Sequence, residues 1–153
     1  MEAGLSAPVV SFEPAVATDG DALVAIRIAA MRESLERLGR FDPQRARERF
    51  LSAFDPACTR HIVVDGRRAG FVVVRERDDG LLLDHLYLLP AEQGRGLGAE
   101  VMARLLAEAD ARGLAMRVGA LRGSAANRFY ERHGFVHERT SDWDEHYLRP
   151  ARR

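Results

Sequence analysis

The segment Gln93-Gly94-Arg95-Gly96-Leu97-Gly98 lies between an apolar run that ends at Pro90 and a helical pattern. Its glycines bring bare backbone N–H groups to a helix N-terminus, where the partial positive charge favours an anion. A dinucleotide fingerprint requires G-x-G-x-x-G after the first strand, whereas these glycines run G-x-G-x-G and follow a later one. A phosphate-loop NTPase requires Gly-Lys-Ser or Gly-Lys-Thr, and this chain contains no lysine. The remaining bland reading is a loop whose glycines only turn the chain. Asp84 and His85 are the second chemical feature, two polar residues inside the apolar run from Leu81 to Pro90. Adjacent strand residues face opposite sides, so at most one of them points in a given direction unless a bulge intervenes.

The elements that must carry these residues follow from periodicity. Val9 to Val16 reads as a first strand, and turn residues Thr18 to Asp21 follow it. From Ala22, apolar residues Leu23, Ile26, Ala30, Leu35 and Leu38 recur at helical spacing, with Gly39 as the stop. Asp42-Pro43 is a cap followed by a first-turn proline, opening a helix to about Phe54. The period then changes to two. His61 to Val64, the Asp65-Gly66 turn and Ala69 to Arg75 read as a hairpin, and Leu81 to Leu89 is a third strand covered on both faces. A long helix runs from Gly96 to about Ala111, with a stripe of Leu97, Val101, Leu105 and Ala109 alongside Met102 and Leu106. Ala115 to Ala120 is a strand and Ser124 to His133 a helix stopped by Gly134. Phe135 to Arg139 and the segment around Tyr147 and Leu148 are the last strands. The order β-α-α-β-β-β-α-β-α-β-β is an α+β, mixed-sheet architecture rather than a repeating βαβα series.

Composition narrows the function classes. The chain has 153 residues, enough for one domain with its own core over about residues 9–150. Its 23 basic residues, all arginine, are balanced by 23 acidic ones to a net charge of zero, which opposes a nucleic-acid surface. Arginine without lysine reads as a mark of genome composition more than of function, and it removes lysine Schiff-base chemistry. One cysteine, Cys58, excludes an internal disulfide and a thiolate metal cluster, so no metal site is expected. The sequence shows no signal-peptide pattern and no apolar run near the roughly 20 residues of a membrane span. A cytoplasmic protein with no membrane partner is the expectation.

Gln93-x-x-Gly96-x-Gly98, behind a strand ending at Pro90, resembles the coenzyme A pyrophosphate loop of GNAT-type N-acetyltransferases. Downstream, Ala126-Asn127-Arg128-Phe129-Tyr130-Glu131-Arg132-His133-Gly134-Phe135 is similar to that family's second signature, an alanine, then Phe-Tyr-Glu, then Gly-Phe. The resemblance extends over roughly Val9 to Pro150. It implies the GNAT fold, with a mostly antiparallel central sheet, and acetyl-CoA as the acyl donor. The reaction implied is acetyl transfer to a primary amine, of a small molecule first, with a protein N-terminus or side chain, or a non-catalytic acyl-CoA sensor, as alternatives.

Carried over residue by residue, the resemblance implies that Leu86, Tyr87 and Leu88 pair through their main chain with the acyl-carrying arm. In the family this strand splays from its neighbour to open a cleft. The pyrophosphate would rest on backbone N–H groups around Gln93, Gly94, Arg95, Gly96, Leu97, Gly98 and Ala99, with Arg95 available to neutralise charge. Tyr130 matches the tyrosine that protonates the departing thiolate; Asn127 and Ser124 are placed to bond the coenzyme arm. The family often has asparagine near Ser124, which weakens that one contact, and Ser124 also reads as a helix cap. An alkyl amine has a pKa near 10, so a base is required, and Asp84 and His85 are equally ranked for it. The acceptor pocket of the family is built by the first two helices and the last strands, which here points to Arg32, Glu33, Phe41 and Tyr147. A homodimer is common in the family, yet no exposed apolar helix face in this sequence demands one.

Overall fold

The structure, a computed structural model, describes residues 8–152. Seven strands and four α-helices are present among them: β1 (Val10–Pro14), α1 (Gly20–Arg37), α2 (Pro43–Ala53), β2 (Thr59–Val64), β3 (Arg67–Arg77), β4 (Gly80–Leu88), α3 (Leu97–Ala111), β5 (Met116–Leu121), α4 (Ala126–Arg132), β6 (Val136–Thr140) and β7 (Asp144–Arg149). This is the predicted element order and the predicted mixed α+β class. Hydrogen-bonded neighbours run β1-β2-β3-β4-β5-β7-β6, so the leucine-rich β4 is the central strand. Packing divides the chain into two compact units, one holding residues up to Val72 with Tyr87–Val101, the other Val73–Leu86 with residues from Met102 onward. Among the described residues no helix is long and apolar enough to cross a membrane.

In the first unit β1 and β2 pair antiparallel from Val10↔Val64 to Pro14↔Arg60. The turn after β2 takes positive φ at both Asp65 (50°) and Gly66 (84°), as that dipeptide predicts. Val10, Ile62, Val64, Ala69 and Phe71 of the strands are buried with Leu23 and Val24 of α1 and Phe50 of α2. Burying each large side chain contributes about 1.5–3 kcal/mol. Rings link the layers: Phe50 lies 5.5 Å from Phe71, and Phe71 lies 5.5 Å from Tyr87 on β4. α2 starts as its sequence dictates, with the Asp42 side chain accepting from the Arg45 N–H at 3.1 Å and Pro43 in the first turn. Buried His61 on β2 donates through Nε2 to Asp19 Oδ2 at 2.8 Å, tying the start of α1 to the sheet.

The second unit is built on β5, β6 and β7. β5 pairs antiparallel with β7 from Met116↔Arg149 to Leu121↔Asp144, and β7 pairs with β6. β4 runs parallel to β5 over Leu81↔Met116 to Leu83↔Val118; beyond that ladder β4 continues to Leu88 and β5 to Leu121. Val73, Leu83, Met116, Val118 and Tyr147 form the core with Met102, Leu105, Leu106 and Ala109 of α3, the stripe expected from the sequence. Arg149 is buried and pairs bidentately with Asp110 at 2.8 and 3.1 Å, which satisfies a charge that would otherwise be costly there. β6 is an edge strand exposed along its length, and its His137, Glu138 and Arg139 discourage edge pairing.

Element ends differ from the sequence reading by a few residues. β1 stops at Pro14 instead of Val16: the Ala15 N–H still reaches the Thr59 carbonyl at 3.0 Å, but the Val16 N–H turns to the Asp19 carboxylate at 2.9 Å. α4 begins at Ala126 instead of Ser124 because residues 121–124 close a turn, with the Ser124 N–H on the Leu121 carbonyl at 3.1 Å.

Candidate functional site

The glycine loop follows β4 through one 3-10 turn at Pro90–Glu92. Gln93 ties it back, donating through Nε2 to the Leu88 carbonyl at 3.0 Å. Gly94 and Gly96 both take positive φ, 76° and 77°, which side chains rarely adopt. A Cβ built on either meets nothing within 4 Å, so the space over this backbone is open. Gly96 provides the carbonyl for the first α3 hydrogen bond, from Glu100 at 3.2 Å. The N–H groups of Leu97, Gly98 and Ala99 then fall in the first turn of the helix, where no earlier carbonyl of the helix can reach them. Leu97 is itself buried and anchors that turn. The backbone therefore fits a phosphate group.

Charge at the loop is arranged by Glu92. Its nearly buried carboxylate accepts from Arg67 Nε at 3.0 Å and Nη2 at 2.9 Å, and from Arg95 Nη1 at 2.9 Å. The Arg67 hydrogen bonds, aided by the Arg95 charge, hold the Glu92 carboxyl below the usual range and raise Arg67. Two guanidinium groups on one carboxylate leave these three side chains with a positive charge. Arg95 thus rests on Glu92, next to the open backbone.

Asp84 and His85 are the first two β4 residues past the ladder with β5. Asp84 Oδ2 accepts from Arg75 Nε at 2.8 Å and lies 3.8 Å from His85 Nε2. Strand alternation predicted that the two would part, yet their heads come together around the Asp84 carboxylate.

In the second unit α4 delivers Tyr130 and Asn127. Tyr130 is buried, its ring 5.6 Å from Phe135 and 6.4 Å from Tyr147. Its carbonyl accepts from the Phe135 N–H at 3.2 Å across Gly134, whose φ of 90° lets the chain reverse. Asn127 donates through Nδ2 to the carbonyls of Leu121 (2.9 Å) and Ser124 (3.0 Å), and accepts at Oδ1 from the Tyr147 hydroxyl at 2.7 Å. Ser124 Oγ sits 3.3 Å from the same Nδ2. Ser124 does not cap α4: the cap position is Ala125, without a side-chain bond. Burial, then Glu131 and Glu145, raise the pKa of the Tyr147 hydroxyl, keeping it a donor.

Of the acceptor-side candidates in the first unit, Arg32 and Phe41 come together, the guanidinium carbon 4.9 Å from the ring centroid. Arg32 also pairs with Glu36 at 3.2 Å, and Glu33 is exposed. Arg27 was not singled out by sequence. It is half-buried on α1, with its guanidinium carbon 6.0 Å from the Tyr87 ring centroid and Nε buried without a hydrogen-bond partner among the described residues. The signal was readable, since Arg27 stands four residues after Leu23 on the apolar stripe. Arg75 was readable too, an opposite charge across the turn from Asp84. Glu92 and Arg67 carried no signal, because a partly buried ion pair 25 residues apart has no local pattern. Among the described residues no group of three or more His, Cys, Asp or Glu is placed to hold a metal ion.

Comparison with known proteins gives the family. No curated protein matches the chain. Solved structures share its fold at low identity. The PaiA N-acetyltransferase of Thermoplasma acidophilum in complex with coenzyme A superposes with a TM-score of 0.75 at 14% identity, over 93% of this chain and 99% of that one. An acetyltransferase of Thermus thermophilus gives 0.73 at 16% identity, over 93% and 97%. The ribosomal-protein-S18-alanine N-acetyltransferase of Escherichia coli gives 0.68 at 19% identity, over 92% and 91%. The sequence model described as an acetyltransferase (GNAT) domain matches residues 57–137, more than half of the chain and both glycine-bearing signatures. The chain belongs to the GNAT acetyltransferase family.

Proposed function

We propose that this protein is an acetyl-CoA-dependent N-acetyltransferase acting on the primary amine of a small molecule. The observation that carries the reading is the open backbone at Gly94 and Gly96, held in positive φ ahead of α3. Membership of the family and a neighbour in complex with coenzyme A support it. Acetyl-CoA supplies the thioester: the amine nitrogen bonds to the acetyl carbon, the C–S bond breaks, and the coenzyme leaves as its thiol.

The chain's own groups divide the remaining work. Backbone N–H groups from Gly94 to Ala99 bind the pyrophosphate, with Arg95 transferring to it from Glu92. Arg67 keeps both Glu92 oxygens occupied when Arg95 leaves, so no buried carboxylate is left unpaired. The main chain of Leu86 to Leu88 orients the acyl arm. Tyr130 donates the proton that quenches the thiolate. His85 takes the proton from the acceptor's ammonium and so frees the amine that attacks, because Asp84 is committed to Arg75. Asn127 positions α4 through its bonds to Leu121 and Tyr147.

The test is thermal denaturation with short acyl-CoAs, followed by thiol release from acetyl-CoA across a panel of amines. The Escherichia coli neighbour is named for an alanine of a ribosomal protein, so a peptide belongs in that panel. Stabilisation by acetyl-CoA and thiol release with an amine are expected; no stabilisation by any short acyl-CoA overturns the reading. For the base, kcat/KM is expected to rise with pH as the base loses its proton, and to lose that limb in His85→Gln. A limb that survives in His85→Gln and disappears in Asp84→Asn assigns the proton to the carboxylate.

A further inference from the structure

α1 buries Leu23 and Val24, and Arg27 stands one turn further along the same stripe. Helical spacing therefore carries a permanent cation onto the packed side of α1. Four other buried or half-buried arginines hold carboxylates: Arg149 on Asp110, Arg75 on Asp84, Arg117 on Glu138 and Arg47 on Asp21. Arg27 has no carboxylate partner among the described residues, and its Nε is buried without any hydrogen bond. Its one close polar-aromatic neighbour is the Tyr87 ring, 6.0 Å from the guanidinium carbon. A ring contact engages the face of a guanidinium and leaves the in-plane N–H donors unused. The two terminal Nη groups, which are not enclosed as Nε is, form a two-pronged end that matches a carboxylate.

We propose that Arg27 binds the carboxylate of the acceptor, so that the preferred substrate is an amine that also carries a carboxylate, as an amino acid does. The inference rests on the acetyl-transfer reading above, in which Tyr87 belongs to the strand segment that orients the acyl arm. That arm is uncharged and the pyrophosphate is served by the glycine loop, so beside the acyl arm the anion that meets Arg27 comes from the acceptor. A carboxylate held there engages terminal donors that no described residue uses.

The experiment compares α-amino acids with their primary carboxamides, which lack the anionic group. Each kcat/KM is referred to the free-amine fraction, because the amides are the less basic amines. Thiol release from acetyl-CoA and thermal shift are measured for the native chain, Arg27→Gln and Arg27→Lys. The native chain is expected to favour the acids over the amides by about tenfold or more in kcat/KM, the size of a charge-assisted contact. That ratio should collapse in Arg27→Gln through KM for the acids, with coenzyme affinity retained, and return in part in Arg27→Lys, which keeps the charge without the fork. Equal use of acid and amide by the native chain overturns the inference, as does a preference that survives in Arg27→Gln. If no amine releases thiol but acids still raise the melting temperature of the native chain and not of Arg27→Gln, acetyl transfer fails and the carboxylate site stands. If acids neither react nor bind, the carboxylate site is overturned.

Discussion

At the scale of single residues, Tyr130 combines a packing role with a proposed chemical one. Its ring contacts Phe135 and Tyr147, and phenylalanine would keep both. Tyr130→Phe is therefore expected to leave folding and coenzyme binding intact while thiol release falls about a hundredfold, the usual worth of a positioned acid. Stopped assays of thiol release beside a coenzyme titration check this; an unchanged rate removes the hydroxyl from the reaction. The motif made Tyr130 legible in the sequence, since its neighbours Phe129 and Gly134-Phe135 are contiguous with it. Arg27 shows the opposite case. Its position on the stripe was written in the spacing, but that its Nε finds no partner among the described residues depends on everything packed around α1.

At the scale of elements, β3 and β4 meet so closely at one point that only glycine fits. A Cβ on Gly70 would lie 2.1 Å from the Tyr87 carbonyl oxygen and 3.0 Å from the Leu88 Cα, both backbone atoms of the segment proposed to orient the acyl arm. Gly70→Ala is expected to destabilise the chain by about 1–3 kcal/mol, the usual range for overpacking, and to weaken acetyl-CoA binding. Gly119→Ala is the control, because its nearest neighbour is the His146 ring at 3.6 Å, an ordinary contact. Urea denaturation and coenzyme titration of both variants decide the point; equal tolerance would mean that β4 shifts freely.

The glycine loop depends on an ion pair from another element. Glu92→Gln removes the charge that holds Arg67 of β3 and Arg95 of the loop. Both arginines are about half exposed, so the expected loss at neutral pH is modest, about 1 kcal/mol after solvent screening. Because Arg67 lowers the Glu92 pKa, the native advantage is present above the ordinary carboxylate range and is lost as pH falls through the folded value. Stability curves of the native chain and Glu92→Gln should converge in acid; a gap that persists there contradicts an electrostatic origin.

At the scale of the whole molecule, the pairing of charges predicts acid sensitivity. Asp19, Glu92, Asp110 and Glu145 all ionise below their ordinary values. The causes, in that order, begin with the Val16 N–H, Arg67, Arg149 and Thr140. Each contributes stability that is complete above the unfolded carboxylate range and is lost as pH falls through its folded value. His133 is lowered too, by burial first and then by Arg132. Its unfolded form takes up a proton first, so stability already begins to fall below about pH 6.5. Urea denaturation across pH should show a shallow decline from there and a steeper one below the ordinary carboxylate values of 3.8 and 4.5. A flat profile down to about pH 3 would contradict the assignment of these pairs.

The sequence by itself determined the element order, the α3 stripe, the Asp65-Gly66 turn, the caps at Asp42 and Gly134, and the two motifs that mark the family. All of these rest on interactions between residues close in the chain, which spacing and residue type express directly. Tertiary structure alone decided that Asp84 is held by Arg75, that Asn127 locks β5, α4 and β7 together, and that Arg95 rests on a carboxylate shared with Arg67. It also decided that Arg27 is left without one among the described residues. Those outcomes depend on which groups distant segments bring within about 3 Å, the reach of a hydrogen bond, and no local pattern records that distance.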